Sequence, residues 1–583
     1  MRFTIFKQSH HQSWIKPALL LGLTLQCLSS PAALAANGDD SRPNIVLILA
    51  DDLGYSDIGA FGGEIDTPNL DALAGAGLKM TNFHVSPACS PTRAMLMSGA
   101  NNHKAGLGNM AELVTPPEKG KPGYEGYLSH NVTPFPELLR AVGYDTYMVG
   151  KWHLGLTEEL SPAARGFEKS YAMLQGGAGF FDQTGNAPTP DGKGKTRARY
   201  RENRDPVDLP TRPDFYTTDF FTDKMIEYIG AGRTDGHPFF SYVAYTAPHF
   251  PLQAPDRLID KYKDRYLAGY EVIRKARFER MKEMGLIPSD MELEDGHPAW
   301  PKWEQLTPQQ KENEARRMAV YAGMVESMDQ NIGKLVSHLK QIGEFDNTIL
   351  VFLSDNGAEA NDIHDLVPRD WVAANFNNSL DNLGRPGSYI GYGPGWGQVS
   401  ATPFRLYKGF PSEGGTRSPT IIFHSELARR GKTDTQLASV LDLAPTFLQV
   451  AGIDPAAGEY AGRKVHQLEG TSLWSYLSGG TDRVHPQDQV MGLELFGRAY
   501  MRKGDWKLVW INRPWGSGDW ELYNLAEDPH ESRNLSKENP QKFSELMESW
   551  KQYQEKNGVI FDGTIADLIQ YTNGQRYYDD LVQ

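Results

Sequence analysis

Cysteine is nearly absent from this sequence. Only Cys27 and Cys89 occur among its 583 residues, and Cys27 falls in an N-terminal segment that we expect to be removed. The remaining chain then has a single thiol and cannot form an internal disulfide. Its stability must therefore come from a large hydrophobic core, and a lone thiol in an exported protein must be either buried or functional.

The sequence also lacks an excess of positive charge, a repeat and a long apolar run. Its 59 Lys and Arg residues are outnumbered by 73 Asp and Glu residues, so the net charge of −14 argues against a nucleic-acid partner. The 58 Gly and 37 Pro residues follow no period, which excludes a collagen-like chain. No later stretch is apolar for long enough to span a bilayer, and we expect no stable membrane insertion.

The N-terminal segment has the pattern of a secretory signal peptide. Three basic residues precede or flank a short apolar run over residues 18–28, and Ala33-Leu34-Ala35 offers the small residues of a cleavage site. The apolar run is too short to span a bilayer comfortably. We therefore expect residues 1–35 to be a signal peptide and the mature protein to be exported, either periplasmic or secreted.

Four apolar runs of strand length end abruptly in polar residues. Runs rich in Val, Ile and Leu favour strands buried on both faces of a mainly parallel sheet, with helices between them. One Asp after a strand is usually a turn former or a helix cap, but ligands of open α/β sheets bind at the carboxyl ends of the strands. Several such ends carrying acids, Lys and His predict a site there. The runs and their polar ends are Asn44–Ala50 with Asp51-Asp52, Tyr144–Val149 with Gly150-Lys151-Trp152-His153, Phe239–Tyr245 with Thr246-Ala247-Pro248-His249, and Thr348–Leu353 with Ser354-Asp355-Asn356.

The segment Ser86–Gly99 (SPACSPTRAMLMSG) is the most specific feature of the chain. Pro91 suits the first position of a helix, with Ser90 as its N-cap. Cys89 would then lie just before a helix N-terminus, where the backbone N–H groups and the helix dipole favour an anion. Arg93 lies in the first turn and can reach back toward residue 89.

These motifs together resemble those of the sulfatase family, and within it those of bacterial arylsulfatases. The central match is Cys-x-Pro-x-Arg at residues 89–93, followed by a short apolar stretch and Gly. The resemblance covers roughly residues 43 to 555, with every motif in the family's order. The other matching motifs are Asp51-Asp52, Gly150–Gly155 (GKWHLG), Ala247–His249 (APH), Asp355–Gly357 (DNG), Tyr407–Phe410 (YKGF) and Glu413–Gly415 (EGG).

The resemblance implies both an architecture and a reaction. The implied α/β fold has a large mixed, mainly parallel sheet sandwiched by helices and a smaller C-terminal subdomain with an antiparallel sheet and a helix. A maturation enzyme would oxidise Cys89 to Cα-formylglycine. The hydrate of this aldehyde would attack the sulfur of a small-molecule sulfate ester and form a covalent sulfo-enzyme hemiacetal. For an aryl sulfate, the products would be a phenol and sulfate.

The resemblance also assigns the site residues. Arg93 would hold residue 89, Lys151 and Lys408 would bind sulfate oxygens, His249 would protonate the leaving oxygen and His153 would accept the proton that releases sulfate. The metal would be Ca²⁺, with Mg²⁺ as the alternative, because its implied ligands are hard oxygen donors. These ligands are Asp51, Asp52, Asp355 and Asn356.

Three alternatives stay open beside arylsulfate hydrolysis. The first is a phosphonate monoester or phosphodiester hydrolase with the same nucleophile, and the second is an exported sulfatase of sulfated glycans. The third is a non-enzymatic binder of sulfated glycans in which Cys89 stays a thiol. A basic insertion over residues 193–204 predicts either a solvated loop or a surface that attracts anionic substrates.

The pattern changes toward the C-terminus. Short strands with turn signals begin at about Val490, and a helix runs from about Pro540 to Lys556. We therefore expect a catalytic domain over residues 36–485 and a C-terminal α+β subdomain over residues 486–583.

Overall fold

The structure is a computed structural model that describes residues 42–568, apart from 233–235, 299, 366, 455–458, 461 and 562. The expected signal peptide and Cys27 lie outside these residues. Among the residues described, no helix combines the length and the apolar character that a membrane span requires.

Strands and helices are interspersed along the described chain. The strands are β1 (Asn44–Ala50), β2 (Leu78–His84), β3 (Asp145–Lys151), β4 (Lys169–Met173), β5 (Thr184–Pro188), β6 (Lys195–Arg197), β7 (Tyr200–Glu202), β8 (Asp205–Val207), β9 (Phe239–Ala244), β10 (Thr348–Ser354), β11 (Arg417–Phe423), β12 (Lys432–Asp434), β13 (Ala438–Ser439), β14 (Glu459–Tyr460), β15 (Arg463–Lys464), β16 (Val490–Leu495), β17 (Arg498–Lys503), β18 (Trp506–Trp510) and β19 (Trp520–Asn524). The α-helices are α1 (Pro68–Ala76), α2 (Cys89–Ser98), α3 (Phe135–Ala141), α4 (Thr217–Gly232), α5 (Asp256–Tyr262), α6 (Tyr270–Glu283), α7 (Pro308–Gln341), α8 (Arg369–Asn375), α9 (Gly393–Ser400), α10 (Glu413–Thr416), α11 (Leu443–Val450), α12 (Trp474–Leu477), α13 (Pro540–Asn557) and α14 (Ile565–Leu568).

The main sheet is mixed and mostly parallel, as the sequence predicts. Its strand order is β12-β2-β11-β10-β1-β9-β3-β4-β7-β8, and β13 pairs with β2. The central strand β1 is parallel to both β9 and β10, and all three are fully buried. Helices α1, α3 and α4 pack against this sheet. Burial on both faces explains the continuous apolar runs of the central strands.

The register of the central strands brings the polar ends together. Ala50 of β1 is opposite Ser354 of β10, so the next residues, Asp51 and Asp355, leave the sheet side by side. The backbone N–H of Asp355 donates to the carbonyl of Ala50 at 3.1 Å, which continues the ladder past the last strand residue. Strand β3 extends to Lys151 and brings that side chain to the same edge.

A second, smaller sheet follows near the C-terminus and confirms the predicted antiparallel subdomain. Strands β16, β17, β18 and β19 are antiparallel neighbours in chain order, and α13 packs on β16, β17 and β18. A buried ion cluster joins this sheet to α10, the helix directly before β11 of the main sheet: Lys507 Nζ lies 2.7 Å from Glu413 Oε1 and 2.8 Å from Glu531 Oε1. The domain boundary at residues 485 and 486 stays a prediction.

Helix α2 begins earlier than the sequence analysis predicts, and the assignment of Ser90 as its N-cap is wrong. The N-cap is Ala88, in an extended conformation, and Cys89 is the first helical residue. The side chain of Thr92 ties down the preceding loop instead, because its Oγ1 accepts from Ser86 N at 2.9 Å and donates to Ser86 O at 3.0 Å. Pro91 is tolerated within the first turn, where an amide has no helical acceptor.

Candidate active site

The four predicted metal ligands meet at the carboxyl edge of β1 and β10. Asp51, Asp52, Asp355 and Asn356 are fully buried. Asp52 has a left-handed backbone with φ of 71°, a conformation that Asp adopts more readily than most residues. Its N–H donates to Asp355 Oδ1 at 3.2 Å, and Asn356 Nδ2 donates to Asp52 Oδ1 at 2.7 Å. The two strand ends therefore form one cluster of acidic and amide groups.

Two of the predicted cations neutralise the outer carboxylates of this cluster. Lys151 Nζ lies 2.8 Å from both carboxylate oxygens of Asp51. Arg93 donates to Asp355 Oδ2 from Nε at 2.9 Å and from Nη2 at 2.7 Å, and its Nη1 donates to the carbonyl of Lys151 at 2.8 Å. Arg93 thereby fixes the first turn of α2 against the strand ends.

Lys408 lies between two carboxylates, one of which the sequence analysis missed. Its Nζ is 2.8 Å from Asp52 Oδ1 and 2.8 Å from Glu359 Oε2, and its side chain is only 2% exposed. Glu359 Oε1 accepts from both the backbone and the side chain of Asn361. No motif marks Glu359, although an acidic residue four positions after Asp355 is a weak signal.

Cys89 lies at the centre of the cluster. Its side chain is buried, and Sγ lies 3.5 Å from Asp52 Oδ1. One ligand atom each from Asp51, Asp52, Cys89 and His249 can be chosen so that all lie within 4.8 Å of one another. Burial raises the pKa of the Cys89 thiol well above its ordinary value, and the carboxylates of Asp355 and Asp52 add to the shift. A thiol in this environment stays protonated, which makes it a poor nucleophile.

His249 faces the cluster through one ring nitrogen. Its Nδ1 donates to the carbonyl of Phe250, so in the neutral ring Nε2 carries the lone pair, and Nε2 lies 3.5 Å from Asp52 Oδ2. Burial lowers the pKa of His249 well below its ordinary value, and the charges of Lys151 and Lys408 act in the same direction. The imidazole is therefore neutral in the free protein.

His153 lies beside a second acid that the sequence analysis missed. Its Nε2 lies 3.1 Å from Glu112 Oε1, and its Nδ1 is buried without a hydrogen-bond partner among the described residues. A Cβ at Gly176 would come within 2.8 Å of His153 Cε1, so the absence of a side chain there allows the ring to fit. Glu112 lies in a short 3₁₀ helix (Ala111–Leu113), 41 positions before His153, and carries no motif, so no sequence signal identifies it.

The donor set fits a hard divalent cation. The Oδ1 atom of Asn356 is buried and has no hydrogen-bond partner among the described residues. Burial raises the pKa of Asp51 to about 8 even though Lys151 opposes the shift. Four carboxylates in this cluster face three cationic side chains, so a dication would offset the remaining negative charge, and oxygen donors are the ligands that Ca²⁺ and Mg²⁺ prefer. The carboxylates are Asp51, Asp52, Asp355 and Glu359, and the cations are Arg93, Lys151 and Lys408.

The basic insertion takes the form of a solvated hairpin and its neighbours. Lys195 and Arg197 lie on β6 with exposed side chains. Arg197 is paired with Asp208 at 2.9 Å, and Arg204 with Glu158 at 3.2 Å. These exposed pairs favour the solvated-loop interpretation over a free cationic surface.

The fold and this site define the class: a hydrolase of anionic esters on the alkaline-phosphatase-like fold. The sequence model of the sulfatase family matches residues 43–453. An uncharacterized sulfatase of Schizosaccharomyces pombe is 42% identical over 536 residues, which cover 91% of this chain and 96% of the relative. The chain therefore belongs to the sulfatase family, and it is a sulfuric ester hydrolase.

Two further comparisons support this assignment. An arylsulfatase of Klebsiella aerogenes is 41% identical over 419 residues, which cover 71% of this chain and 88% of the relative. Among solved structures, that of Ps i-CgsB in complex with k-i-k-neocarrahexaose matches with a TM-score of 0.63 at 25% identity and covers 92% of this chain and 99% of its own.

Proposed function

We propose that this protein is an exported arylsulfatase that uses a Cα-formylglycine made from Cys89. The observation that carries the proposal is the position of Cys89, at the first turn of α2 and 3.5 Å from Asp52 in a cluster of buried acids and cations. A thiol that burial keeps protonated has no evident use in this cluster, whereas a hydrated aldehyde would be an oxygen nucleophile. The arylsulfatase relative from Klebsiella aerogenes supports the aryl preference.

Asp51, Asp52, Asp355 and Asn356 would hold the metal, and we favour Ca²⁺ over Mg²⁺. The flexible coordination of Ca²⁺ suits a mixed set of carboxylate and amide oxygens. When bound, the ion would neutralise negative charge on the nucleophile and on the sulfate group. Arg93 would not be a ligand, since its guanidinium is already committed to Asp355 and to the carbonyl of Lys151.

The cationic side chains would bind the sulfate group. Lys151 and Lys408 are buried and lie on two sides of the Asp51-Asp52 pair, so an anion at residue 89 would lie between two ammonium groups. Arg93 would keep residue 89 in place through the rigid first turn of α2. These fixed charges act in a site from which water is largely excluded, where they stabilise developing negative charge most effectively.

The two histidines would move protons. His249 is neutral in the free protein, but the negative charge of a bound sulfate ester would raise its pKa and let it deliver a proton to the leaving oxygen. His153 would accept the proton from residue 89 that allows sulfate to leave, with Glu112 stabilising the imidazolium. The second hydroxyl of a hydrated aldehyde makes this release possible without attack by external water.

The remaining expectations are part of the same proposal. Residues 1–35 would direct export to the periplasm or the medium, and a separate maturation enzyme would oxidise Cys89. Residues 36–485 would form the catalytic domain and residues 486–583 the C-terminal subdomain.

A second candidate is a sulfatase of sulfated glycans. It is favoured by the similarity to Ps i-CgsB, whose structure contains an oligosaccharide, k-i-k-neocarrahexaose. Both candidates use the same reacting group, because aryl and sugar sulfates differ only in the alcohol that leaves. A phosphonate monoester or phosphodiester hydrolase with the same nucleophile is the third candidate.

The test combines the chemistry of residue 89 with substrate comparison. Protein from its native host is treated with an aldehyde-specific hydroxylamine and, separately, with a thiol-specific alkylating reagent, and the peptide that contains residue 89 is examined by mass spectrometry. We expect the hydroxylamine adduct, and a free thiol in fully active protein would refute the nucleophile assignment. The kcat/KM values for 4-nitrophenyl sulfate, a sugar sulfate and bis(4-nitrophenyl) phosphate then separate the three candidates, with Cys89→Ala as the inactive control.

A further inference from the structure

The loop that carries Lys408 is held at both ends by residues that follow the C-terminal sheet. This loop, the Lys408 segment, comprises residues 403–413 and ends at the first residue of α10. The carbonyl of its first residue, Pro403, accepts from His530 Nδ1 at 3.0 Å. The backbone N–H of its last residue donates to Glu531 Oε2 at 3.2 Å. The C-terminal part of the chain therefore contributes to the position of a segment that belongs to the catalytic cluster.

Arg498 of β17 contacts the middle of this segment, next to Lys408. Its Nη1 donates to the carbonyl of Gly409 at 2.7 Å, and its Nε donates to Asn512 Oδ1 at 2.9 Å. The guanidinium also lies over the ring of Phe410, 4.3 Å from the ring centroid. The side chain is only 1% exposed, so these contacts are shielded from water. Two hydrogen bonds and one cation–π contact thus fix the guanidinium against the Lys408 segment.

The residue that Arg498 holds also contacts the segment before the nucleophile. The backbone N–H of Gly409 donates to the carbonyl of Pro87 at 2.7 Å, and Pro87 lies two positions before Cys89. Gly409 has a φ of 88°, a left-handed conformation that glycine adopts without strain. Gly409 is therefore held through its N–H by the loop before Cys89 and through its carbonyl by Arg498.

The backbone at Lys408 decides where its ammonium group lies. The backbone N–H of Lys408 donates to the carbonyl of Ala358 at 3.1 Å, and Nζ lies 2.8 Å from both Asp52 Oδ1 and Glu359 Oε2. A lysine side chain is long and flexible, so its ammonium has a fixed position only when the backbone that bears it is also fixed. A displacement of about 1 Å in a group that positions the substrate can lower a rate by roughly 10²-fold.

We propose that Arg498 is a positioning residue for the sulfatase reaction, because it holds Lys408 where the ammonium binds a sulfate oxygen. The inference rests on the proposed function in one respect, the binding of sulfate by Lys408. Arg498 acts through the carbonyl of Gly409 and not by contact with the substrate. The C-terminal sheet is then part of the catalytic apparatus, since it supplies the side chain that positions a residue of the site.

A double-mutant cycle in the full-length protein tests the proposal. The kcat and KM values for 4-nitrophenyl sulfate are measured for the parent, Arg498→Met, Lys408→Met and the double variant. Each rate is normalised to the fraction of formylglycine at residue 89, measured by mass spectrometry. We expect Arg498→Met to lower kcat/KM by about tenfold to hundredfold in the parent. In the Lys408→Met background it should lower kcat/KM by less than about twofold, because the group that Arg498 positions is already absent.

The control for general damage to the C-terminal sheet is Arg502→Met. Arg502 is a second buried arginine of β17, but it donates to the carbonyl of Gly504 and contacts His84 of β2. We expect this variant to have a lower melting temperature and, below that temperature, a nearly unchanged kcat/KM. Arg498→Lys keeps the positive charge without the planar fork of donors and should recover part of the activity lost in Arg498→Met.

A milder variant keeps the test decisive if Arg498→Met does not fold. Asn512→Ala removes the acceptor of Arg498 Nε and leaves the guanidinium in place. It should lower kcat/KM in the same direction by a smaller factor, and this loss should also disappear in the Lys408→Met background.

The outcomes separate this inference from the proposed function. A loss by the same factor in both backgrounds would overturn the inference and leave Arg498 as a support of the fold alone. An equal loss of kcat/KM in Arg502→Met would also overturn it, because any damage to β17 would then have the same effect. An unchanged kcat/KM in Lys408→Met would instead refute the proposed binding of sulfate by Lys408, a result that needs no Arg498 variant.

Discussion

Replacement of Lys408 by Met tests the electrostatic balance of the catalytic cluster. The ammonium lies 2.8 Å from oxygens of both Asp52 and Glu359 and is 2% exposed, and Met has a similar length without the charge. The variant leaves two buried carboxylates facing each other without their cation. Removing one member of a buried ion pair costs about 3–5 kcal/mol, and we expect a loss of this size in the metal-free protein. We also expect kcat/KM to fall by about 10²–10³-fold, the usual effect of losing one fixed charge at a reacting oxyanion.

A second substitution separates stability from catalysis. Glu359→Gln in the Lys408→Met background removes one of the two buried carboxylate charges that Lys408 no longer neutralises, and it hardly changes the side-chain volume. The double variant should be more stable than Lys408→Met by about 0.5–3 kcal/mol, the usual size of the coupling between neighbouring charged residues. It should nevertheless stay as inactive as the single variant. Added Ca²⁺ should reduce the difference in stability between the single and double variants, because a cation at Asp52 offsets part of the positive charge that was lost with Lys408.

Scanning calorimetry with chelator and with Ca²⁺, beside hydrolysis of 4-nitrophenyl sulfate, measures both effects. A Lys408→Met protein as stable as its parent without metal would show that Asp52 and Glu359 are not both charged in the folded state. A double variant no more stable than the single one would refute the pairing of Lys408 with Glu359. Unchanged kcat/KM in Lys408→Met would remove Lys408 from sulfate binding.

Two further predictions concern the cluster and the histidine beside it. Asp355→Ala should lower the bound metal measured by elemental analysis and reduce kcat/KM by about 10²-fold or more, because it removes a proposed metal ligand and the carboxylate oxygen that accepts two N–H bonds from Arg93. Full metal content would exclude Asp355 as a metal ligand. Burial, Lys151 and Arg93 lower the pKa of His153, and the Glu112 carboxylate opposes them. Glu112→Gln should therefore lower the pKa of His153 further and move the acidic limb of the pH–rate profile to lower pH. Glu112→Asp keeps a carboxylate and should bring the limb part of the way back toward its position in the parent protein. An acidic limb that does not move in Glu112→Gln would exclude His153 as the base.

The sequence predicts the central part of the fold because the central strands are buried on both faces. Asn44–Ala50 is found as predicted, and the strand at Thr348 extends only one residue further, to Ser354. A continuous apolar run of strand length is typical of a strand that is covered on both sides. Since parallel strands end at one edge, the polar residues after them could be placed together before their register was known. The register itself, Ala50 opposite Ser354, depends on tertiary packing and is not encoded in either run.

Other parts of the structure have no local pattern from which they could be predicted. Strand β2 (LKMTNFH) alternates poorly and contains polar residues, because its neighbours β11 and β12 decide what it can bury. The contacts of Glu112 with His153 and of Glu359 with Lys408 join residues 41 and 49 positions apart.

The charges of the catalytic cluster connect its stability with its function. Each carboxylate at the strand ends forms an ion pair with a cation from a different element. Asp51 pairs with Lys151 of β3, Asp355 with Arg93 of α2, and Asp52 with Lys408 in the loop before α10. Glu359 shares Lys408 with Asp52, so one negative charge is left over when all four carboxylates are ionised, and the Oδ1 atom of Asn356 has no partner among the described residues. A dication would satisfy that oxygen and reverse the sign of the net charge, which would then attract a sulfate monoanion. Metal and substrate together would thus balance the charges of the cluster. Removing either of them should destabilise the ends of β1 and β10.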